Sequence, residues 1–510
     1  MTAILIIIIV FLIIVILEEK NTSYQLRRKL DENQEKIDRL EKDLRNFIDI
    51  EKDSMNLNVE EIDELEDIEE LPSKENIDSH SKDDITTTKY DLNTEKSILL
   101  NLMENTNTNM FITGKAGTGK SYLLKVFKKT TKKKVLYCAP TGIAALNISG
   151  VTLHSAFGWN NLVDDADIRL SNNKIALFKS IDTLIIDEIS MVRVDVFNQL
   201  DRILKKANNT NIAFGGKQVI LFGDLFQLPP VAKKEEAEYF TDKYGGIFFF
   251  NSPAYKNAKF EFKELEDVFR QTDKKFINIL NDIRVGKIRE TQISSLNKHY
   301  VENKPERVVE IVPMKSDANR INLENLNKIK GRKYIYNANI LVGDKELKET
   351  DFPCDFELEL KVGALVMMIT NDQEHKRWVN GTLGIIKELS NSMVKVMING
   401  TEFEISPTTF NKYKCEYDRK SNQLNYIVES SVSQYPLILA YAITIHKYQG
   451  MTYQQIACNL DNCFAPGQAY VALSRCANYE KLYLTKKIDA SSIITDNVVA
   501  NFYKSVSKNK

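Results

Sequence analysis

Eight consecutive residues, GKAGTGKS at 114–121, lie between an apolar stretch, MFIT, and a run with helical spacing, SYLLKVF. Glycine at Gly114, Gly117 and Gly119 lets a backbone curl until its N–H groups face one point, and a helix that follows aims its N-terminal dipole at the same place. The chemistry suited to that point is the binding of a phosphate chain. In that reading Gly114, Ala116, Gly117, Thr118 and Gly119 line the loop, Lys120 reaches the terminal phosphates and Ser121 ligates magnesium. Hydrolysis then needs an acid pair, and TLIIDEIS supplies it after an apolar run. Asp187 would hold the magnesium through water, and Glu188 would orient and deprotonate the attacking water.

Three more side chains could act on the same phosphates. In GDLFQLPPV, Gln227 sits in a loop stiffened by two prolines and is placed to sense a terminal phosphate. Arg270 in LEDVFRQ and Arg475 in YVALSR lie far along the chain. An arginine brought to that phosphate from an opposing domain stabilises the charge that develops in phosphoryl transfer. Two other stretches, PTGIAALNISGVTLHSAFGW and YAITIHKYQGMT, mix hydroxyls, amides and backbone N–H groups with His154, Phe157, Trp159, His446 and Lys447. Such a mixture suits a nucleic-acid strand held by its phosphates, with aromatic rings stacking on bases. Phe157 and Trp159 suit a hydrophobic core equally well.

These residues need a scaffold. MFITG, KKVLYCA, DTLIIDE and KQVILFGD are short and apolar on both faces, as buried parallel strands are, with amphipathic helices between them. The pattern predicts an α/β, doubly wound domain over 91–266 and a second α/β portion over 267–344 and 431–510. Residues 345–430 alternate polar and apolar and carry Asn399-Gly400, a hairpin pair, so they read as a small inserted β-barrel.

A chain of 510 residues, 43% apolar and 27% charged, has material for several domains. Its six cysteines form no CxxC and its five histidines do not cluster near them, which argues against a zinc site or disulfide framework and for a reducing compartment. The net charge of −1 conceals −11 over residues 1–90 and +10 over 91–510. A basic body suits a binder of phosphate backbones, although a solvated lysine surface is the plainer reading.

The first 90 residues are of another kind. ILIIIIVFLIIVIL at 4–17 has no polar side chain, no basic segment ahead of it and no small-residue cleavage site before Glu18, which does not fit a cleaved signal. It reads as a transmembrane anchor over 1–19, inserted through residues 3–17, with Arg27, Arg28 and Lys29 leaving the body on the cytoplasmic face of a membrane. The alternative is a start codon set too early and a cytoplasmic protein. Leu26, Leu30, Asn33, Ile37, Leu40, Leu44 and Phe47 alternate at spacings of four and three, predicting a short coiled coil over 20–50 that would pair copies of the chain, or else a lone amphipathic helix. Residues 51–90 are acidic and read as a flexible linker.

Taken in order, GKAGTGKS, TGIAALNISGVTLHSAF, DEISM, FGGKQVILFGDLFQLPPV, FRQ, VNGTLG, TIHKYQGMT and YVALSR resemble the motifs of the petite-integration-frequency (Pif-type) DNA helicases of superfamily one, kin of the RecD-like helicases. The resemblance covers about 90–490. It implies two RecA-like P-loop domains with an inserted SH3-like barrel. It also implies ATP and Mg2+ as cofactors, single-stranded and duplex DNA as partners, and 5′-to-3′ unwinding in DNA repair, recombination or replication. Carried over by position, the nucleotide roles fall on Gly114, Gly117, Gly119, Lys120, Ser121, Asp187, Glu188, Gln227, Arg270 and Arg475. The strand contacts fall on Thr141, Gly142, His154, Thr444, His446, Lys447 and Gln449, joined by Phe157 as an aromatic candidate. The chain departs from the pattern at Lys96, where the family has a glutamine that reads adenine, and at Tyr448, where it has a serine. Two other readings stay open: a membrane-anchored, nucleotide-dependent DNA-binding scaffold that does not unwind, and a helicase subunit of a RecD-like nuclease complex.

Overall fold

The computed structural model describes residues 92–158, 168–342, 347–372, 375–418, 423–447 and 451–507. The anchor, coiled coil and linker expected over 1–90 lie outside the described residues, as do Trp159, Tyr448 and Gln449. Among the described residues no helix is long and apolar enough to cross a membrane.

Strands β1 (Met110–Gly114), β2 (Val135–Ala139), β3 (Val151–Thr152), β4 (Thr183–Ile186), β5 (Gln218–Phe222) and β6 (Glu261–Leu265) form one sheet in the order β3-β2-β4-β5-β1-β6. Every pairing in it is parallel. β1, β2, β4 and β5 are buried along their whole length, which is why their sequences are apolar without alternation. The pleat decides which layer each residue joins. Met110 and Ile112 pack with Leu99 and Met103 of the Thr94–Asn105 helix and with Leu123, Leu124 and Phe127 of the Lys120–Thr130 helix. Phe111 faces the opposite layer, where its ring meets Phe249 and Phe262 edge-on, each at 5.6 Å. Parallel order places the carboxyl ends of β1, β4 and β5 side by side, the position at which open α/β sheets bind ligands.

β7 (Glu310–Val312) starts a second sheet that the chain completes only after a long antiparallel excursion. The excursion holds β8 (Tyr334–Asn337), β9 (Asn339–Val342), β10 (Glu357–Leu360), β11 (Leu365–Met368), β12 (Leu383–Leu389), β13 (Val394–Ile398), β14 (Thr401–Ile405), β15 (Thr408–Asp418), β16 (Gln423–Gln434) and β17 (Leu437–Leu439). Its strands thus run from 334 to 439, wider at both ends than the segment read from sequence. Five of them form the sheet β14-β13-β12-β11-β17, and three form β15-β16-β9. Asn399 (φ 50°) and Gly400 (φ 87°) close the β13–β14 hairpin with both central residues left-handed, as its twist requires. β18 (Ala442–Thr444), β19 (Ile456–Cys458) and β20 (Leu482–Leu484) then join β7 in the parallel order β18-β7-β19-β20.

Two later segments of the chain return to the first sheet. The β15–β16 hairpin reaches the first sheet, where the Tyr426 hydroxyl accepts the Tyr137 N–H of β2 at 3.3 Å. The last helix, Asn497–Ser507, also packs on the first sheet rather than on the second, which precedes it in sequence. Phe502 stacks on Phe250 at 4.2 Å, and the Tyr503 hydroxyl bonds Thr113 Oγ1 of β1 at 2.6 Å.

Candidate nucleotide cleft and strand groove

β1 delivers the chain into the phosphate loop, which turns through Gly114 (φ 151°), Gly117 (φ 84°) and Gly119 (φ 87°). A Cβ on Gly114 would lie 2.7 Å from the Leu265 carbonyl oxygen and from Thr118 Oγ1, so glycine is demanded by space as well as by φ. Gly119 caps the Lys120–Thr130 helix without a side chain, leaving the first N–H groups of that helix directed at the loop. Lys120 Nζ donates to the carbonyls of Gly114 at 2.6 Å and Lys115 at 3.0 Å. Burial pulls the Lys120 pKa down to about 8, against the opposing pull of Asp224 and Glu188, and a phosphate would restore it. Ser121 is exposed at the first turn of the same helix.

β4 ends at the acid pair. Glu188 donates its N–H to Asp187 Oδ1 at 3.0 Å and holds φ at 50°, an uncommon value for a side chain with a Cβ and one associated with active sites. Burial, then the charge of Glu188, hold the Asp187 carboxyl above its ordinary range. An acid pair within electrostatic reach of Lys120 fits a divalent cation shared with phosphate oxygens.

The second half closes the cleft. Arg475, 2% exposed, donates from Nη2 to Gln227 Oε1 at 3.4 Å. Arg270 donates from Nη1 to the Ser474 carbonyl at 3.2 Å, and its Cβ stands 2.5 Å from where a Cβ on Gly117 would be. Burial and the neighbouring Arg475 pull the Arg270 pKa down to about 9. All the residues expected at the nucleotide therefore meet in one place. Four more belong with them. Gln271 donates from Nε2 to the carbonyls of Ser474 (2.8 Å) and Cys476 (3.0 Å). Asp224, fully buried, pairs with Arg284 at 3.0 Å, and the Tyr470 hydroxyl donates to Asp224 Oδ2 at 3.2 Å. Asp224, Gln271 and Tyr470 lie inside segments already singled out, GDLFQLPPV, LEDVFRQ and YVALSR, which drew attention to Gln227, Arg270 and Arg475 instead. Arg284 carries no local signal in the sequence.

Lys96 lies against the loop as well. It is 3% exposed, its ammonium is 4.1 Å from the centre of the Phe269 ring and 3.4 Å from Asn93 Oδ1, and its Cε would stand 2.9 Å from a Cβ on Gly119.

The strand candidates fall into two groups. Thr141 caps the Gly142–Asn147 helix by accepting the Ala144 N–H at 3.3 Å. Gly142 and the exposed His154 line a hollow of about 250 Å³ with Asp351 and Lys412. Thr444 ends β18 and accepts the Lys447 N–H at 3.3 Å. Thr444, His446 and Lys447 line a larger groove of about 960 Å³ with Ile143, Met314 and Phe464. The acidic segment between Glu349 and Glu359 borders both hollows: Asp351 pairs with Lys412 at 3.2 Å and Asp355 with Lys447 at 3.5 Å. Phe157 must be reassigned. It is 4% exposed and stacked on Phe178 at 4.8 Å, so its ring belongs to the core and not to a strand-binding surface.

Two parallel α/β halves that enclose a phosphate loop, an acid pair and two opposing arginines define a P-loop nucleoside triphosphatase of the two-lobed motor class. The family model for PIF1-like helicases matches residues 91–294. The ATP-dependent DNA helicase Pif1 of Campylobacter jejuni is 34% identical over 436 residues, covering 78% of this chain and 94% of that protein. Among solved structures, Bacteroides sp. Pif1 in complex with ADP-AlF4 is 37% identical with a TM-score of 0.74, and covers 82% of this chain and 97% of its own. Bacteroides Pif1 bound to ssDNA has the same identity and coverage with a TM-score of 0.62. The chain belongs to the PIF1-like helicase family, whose members are ATP-hydrolysing enzymes.

An ammonium is a donor only, whereas a carboxamide both donates and accepts, so Lys96 cannot reproduce a two-way bond to adenine. ATP and GTP are expected to be turned over at rates within about tenfold of each other, because a site without a paired donor and acceptor discriminates weakly. Steady-state turnover with each nucleotide checks this, and a preference for ATP of a thousandfold or so would sink it.

Proposed function

We propose that this protein is an ATP-driven DNA helicase that moves 5′-to-3′ along a single strand and separates the duplex ahead of it, in DNA repair, recombination or replication. The observation that carries the reading is the contact of Arg475 with Gln227 across the cleft, 3.4 Å apart, beside a complete phosphate loop and acid pair. Membership of the family supports it further.

The chain's own groups divide the chemistry. The loop N–H groups and Lys120 hold the triphosphate, and Ser121 and Asp187 would hold Mg2+, which supplies charge neutralisation at the β- and γ-phosphates. Glu188, held at φ 50° beside Asp187, would orient and deprotonate the attacking water. Lys120, Arg270 and Arg475 stabilise charge as the γ-phosphoryl group leaves, and Gln227 links that event to the opposing half. Thr141, Gly142 and His154 on one half, and Thr444, His446 and Lys447 on the other, offer donors for a phosphate backbone without reading its bases. Relative movement of the halves would then shift one group of contacts past the other. The scaffold reading is disfavoured by the intact Glu188, Arg270 and Arg475.

The apolar run at 4–17 supports a further proposal, that the motor is tethered to the cytoplasmic face of a membrane and paired through residues 20–50. Fractionation of cells making the full chain should recover it in washed membranes, and recovery in the cytosol alone would overturn the tether. For the motor itself, 5′-tailed duplexes should be unwound and 3′-tailed ones left intact, with forked and RNA substrates as comparisons. Lys120→Ala should lower ATP turnover by at least about a hundredfold, since the terminal phosphates lose their cation. Unwinding that survives in that variant would remove the assignment. Asp355→Asn frees Lys447 for a phosphate and should tighten binding of a single strand about fivefold, the scale of one exposed ion pair. Glu404→Gln removes a like charge outside both hollows and should not; equal gains from the two variants would reduce the effect to net charge.

A further inference from the structure

A single carboxylate behind the phosphate loop holds both halves of the cleft. Asp224 follows the carboxyl end of β5 and accepts from Arg284 Nη2 at 3.0 Å and from Arg284 Nε at 3.2 and 3.3 Å. It also accepts the Phe226 N–H at 3.3 Å, and its backbone carbonyl accepts the Gln227 N–H at 2.9 Å, so it shapes the turn that presents Gln227. The Arg284 guanidinium lies over the rings of Phe226 at 4.6 Å and Tyr503 at 5.3 Å, which fixes its plane. The fourth partner is Tyr470, whose hydroxyl donates to Asp224 Oδ2 at 3.2 Å and accepts the Ala116 N–H at 2.8 Å. One phenol oxygen therefore bridges the Asp224 carboxylate to the backbone of the phosphate loop.

Tyr470 lies on the Gln468–Leu473 helix of the second half, and this helix runs directly into Arg475. The Arg475 guanidinium is bound to it through Nε and the Val471 carbonyl at 3.1 Å. The same hydrophobic core contains Val471 and Leu473 beside Tyr470, and Ile443 and Ile445 on either side of Thr444. Close-packed cores move as units. The core thereby links the larger groove to Tyr470, and both this core and the Tyr470 hydroxyl reach Ala116, four residues before Lys120.

We propose that Tyr470 is a positioning residue that transmits strand engagement in the second half to the phosphate loop, acting through its paired bonds to Ala116 N–H and Asp224. The proposal rests on the reading of the chain as a strand-driven ATPase. It assigns the coupling to a neutral hydroxyl in a fixed two-bond relay, in addition to the arginines that face the γ-phosphate. Burial, and then the Asp224 charge, raise the Tyr470 pKa above its ordinary value, so the proton needed for the donated bond stays in place at neutral pH.

Tyr470→Phe keeps the ring in its packing and removes the bridging oxygen, while Arg284 continues to neutralise Asp224. The ratio of ATP turnover with saturating single-stranded DNA to turnover without it should fall about fivefold to tenfold, the coupling that one hydrogen bond can carry, with KM for ATP changed much less than kcat. Hydrogen exchange of the phosphate-loop amides should respond to single-stranded DNA in the unsubstituted chain and lose that response in Tyr470→Phe. A merely structural role would instead lower the melting temperature and reduce both turnovers in parallel, leaving the ratio unchanged, and that result overturns the proposal. An unchanged exchange response to DNA in Tyr470→Phe overturns it equally. Absence of any DNA stimulation in the unsubstituted chain would be a failure of the motor reading itself, which separates the two.

Discussion

Cations brought close together out of water repel one another, and the cleft assembles Lys120, Arg270, Arg475 and Arg284 around one loop. Burial first, and neighbouring cations after it, bring the pKa of Lys120 down to about 8 and of Arg270 down to about 9. Asp224 balances Arg284 almost alone, with Arg284 Nη2 at 3.0 Å from its carboxylate and only the half-buried Glu264, at 3.7 Å, as a second acid. The other cations find their natural counter-charge in a triphosphate, and so closing the two halves is favourable when that anion joins them. On the facing side two carboxylates stand next to each other, and burial, then the charge of Glu188, hold the Asp187 carboxyl above its ordinary range. A nucleotide with its magnesium answers both at once.

The scaffold is arranged to hold these charges in register. Parallel strands leave the phosphate loop, the acid pair and the Gln227 loop at adjacent strand ends, and the pleat sends Phe111 and its neighbours into separate layers that fix the sheet from both faces. The second half supplies Arg270, Arg475 and Tyr470, and the core around Tyr470 also takes in Ala116 and Leu228 of the first half. Thr444 ends β18, and its neighbours Ile443 and Ile445 share a core with the Gln468–Leu473 helix. The cleft and the larger groove thus border one packed body.

What could be read from the sequence depended on how local each signal was. GKAGTGKS was legible because the conformation it needs is demanded by consecutive residues: three of its glycines take positive φ, and a Cβ on Gly114 would strike Leu265. Asp187 and Glu188 were legible because two adjacent acids at the end of a buried parallel strand carry a desolvation cost that a bound cation offsets. Asn399-Gly400 disclosed its hairpin by the same local logic. Arg284 was not legible, and Tyr470, although it opens YVALSR, was passed over for Arg475, since the partners of each lie far along the chain at Asp224 and Ala116. Phe157 was ambiguous for a related reason: the residue type is the same whether its ring faces a base or Phe178, and only the packing decides. The excursion between the two parallel sheets extended past its expected ends because β8, β9 and β17 are too short to leave a clear alternating pattern.

The position of the last helix has a consequence for how the chain acquires its structure. Val499 and Tyr503 complete the core that Phe111, Phe249 and Phe250 begin, so the first sheet cannot be finished from the segment that contains its strands. During synthesis that aromatic face stays open while the whole antiparallel excursion and the second sheet are made. It is covered only once residues 497–507 have been made. The order of folding therefore runs against the order of the sequence. The sheet synthesised first is sealed late, and a chain cut short before residue 497 carries a complete phosphate loop on an incompletely covered apolar face, a form that cellular quality control is well placed to recognise.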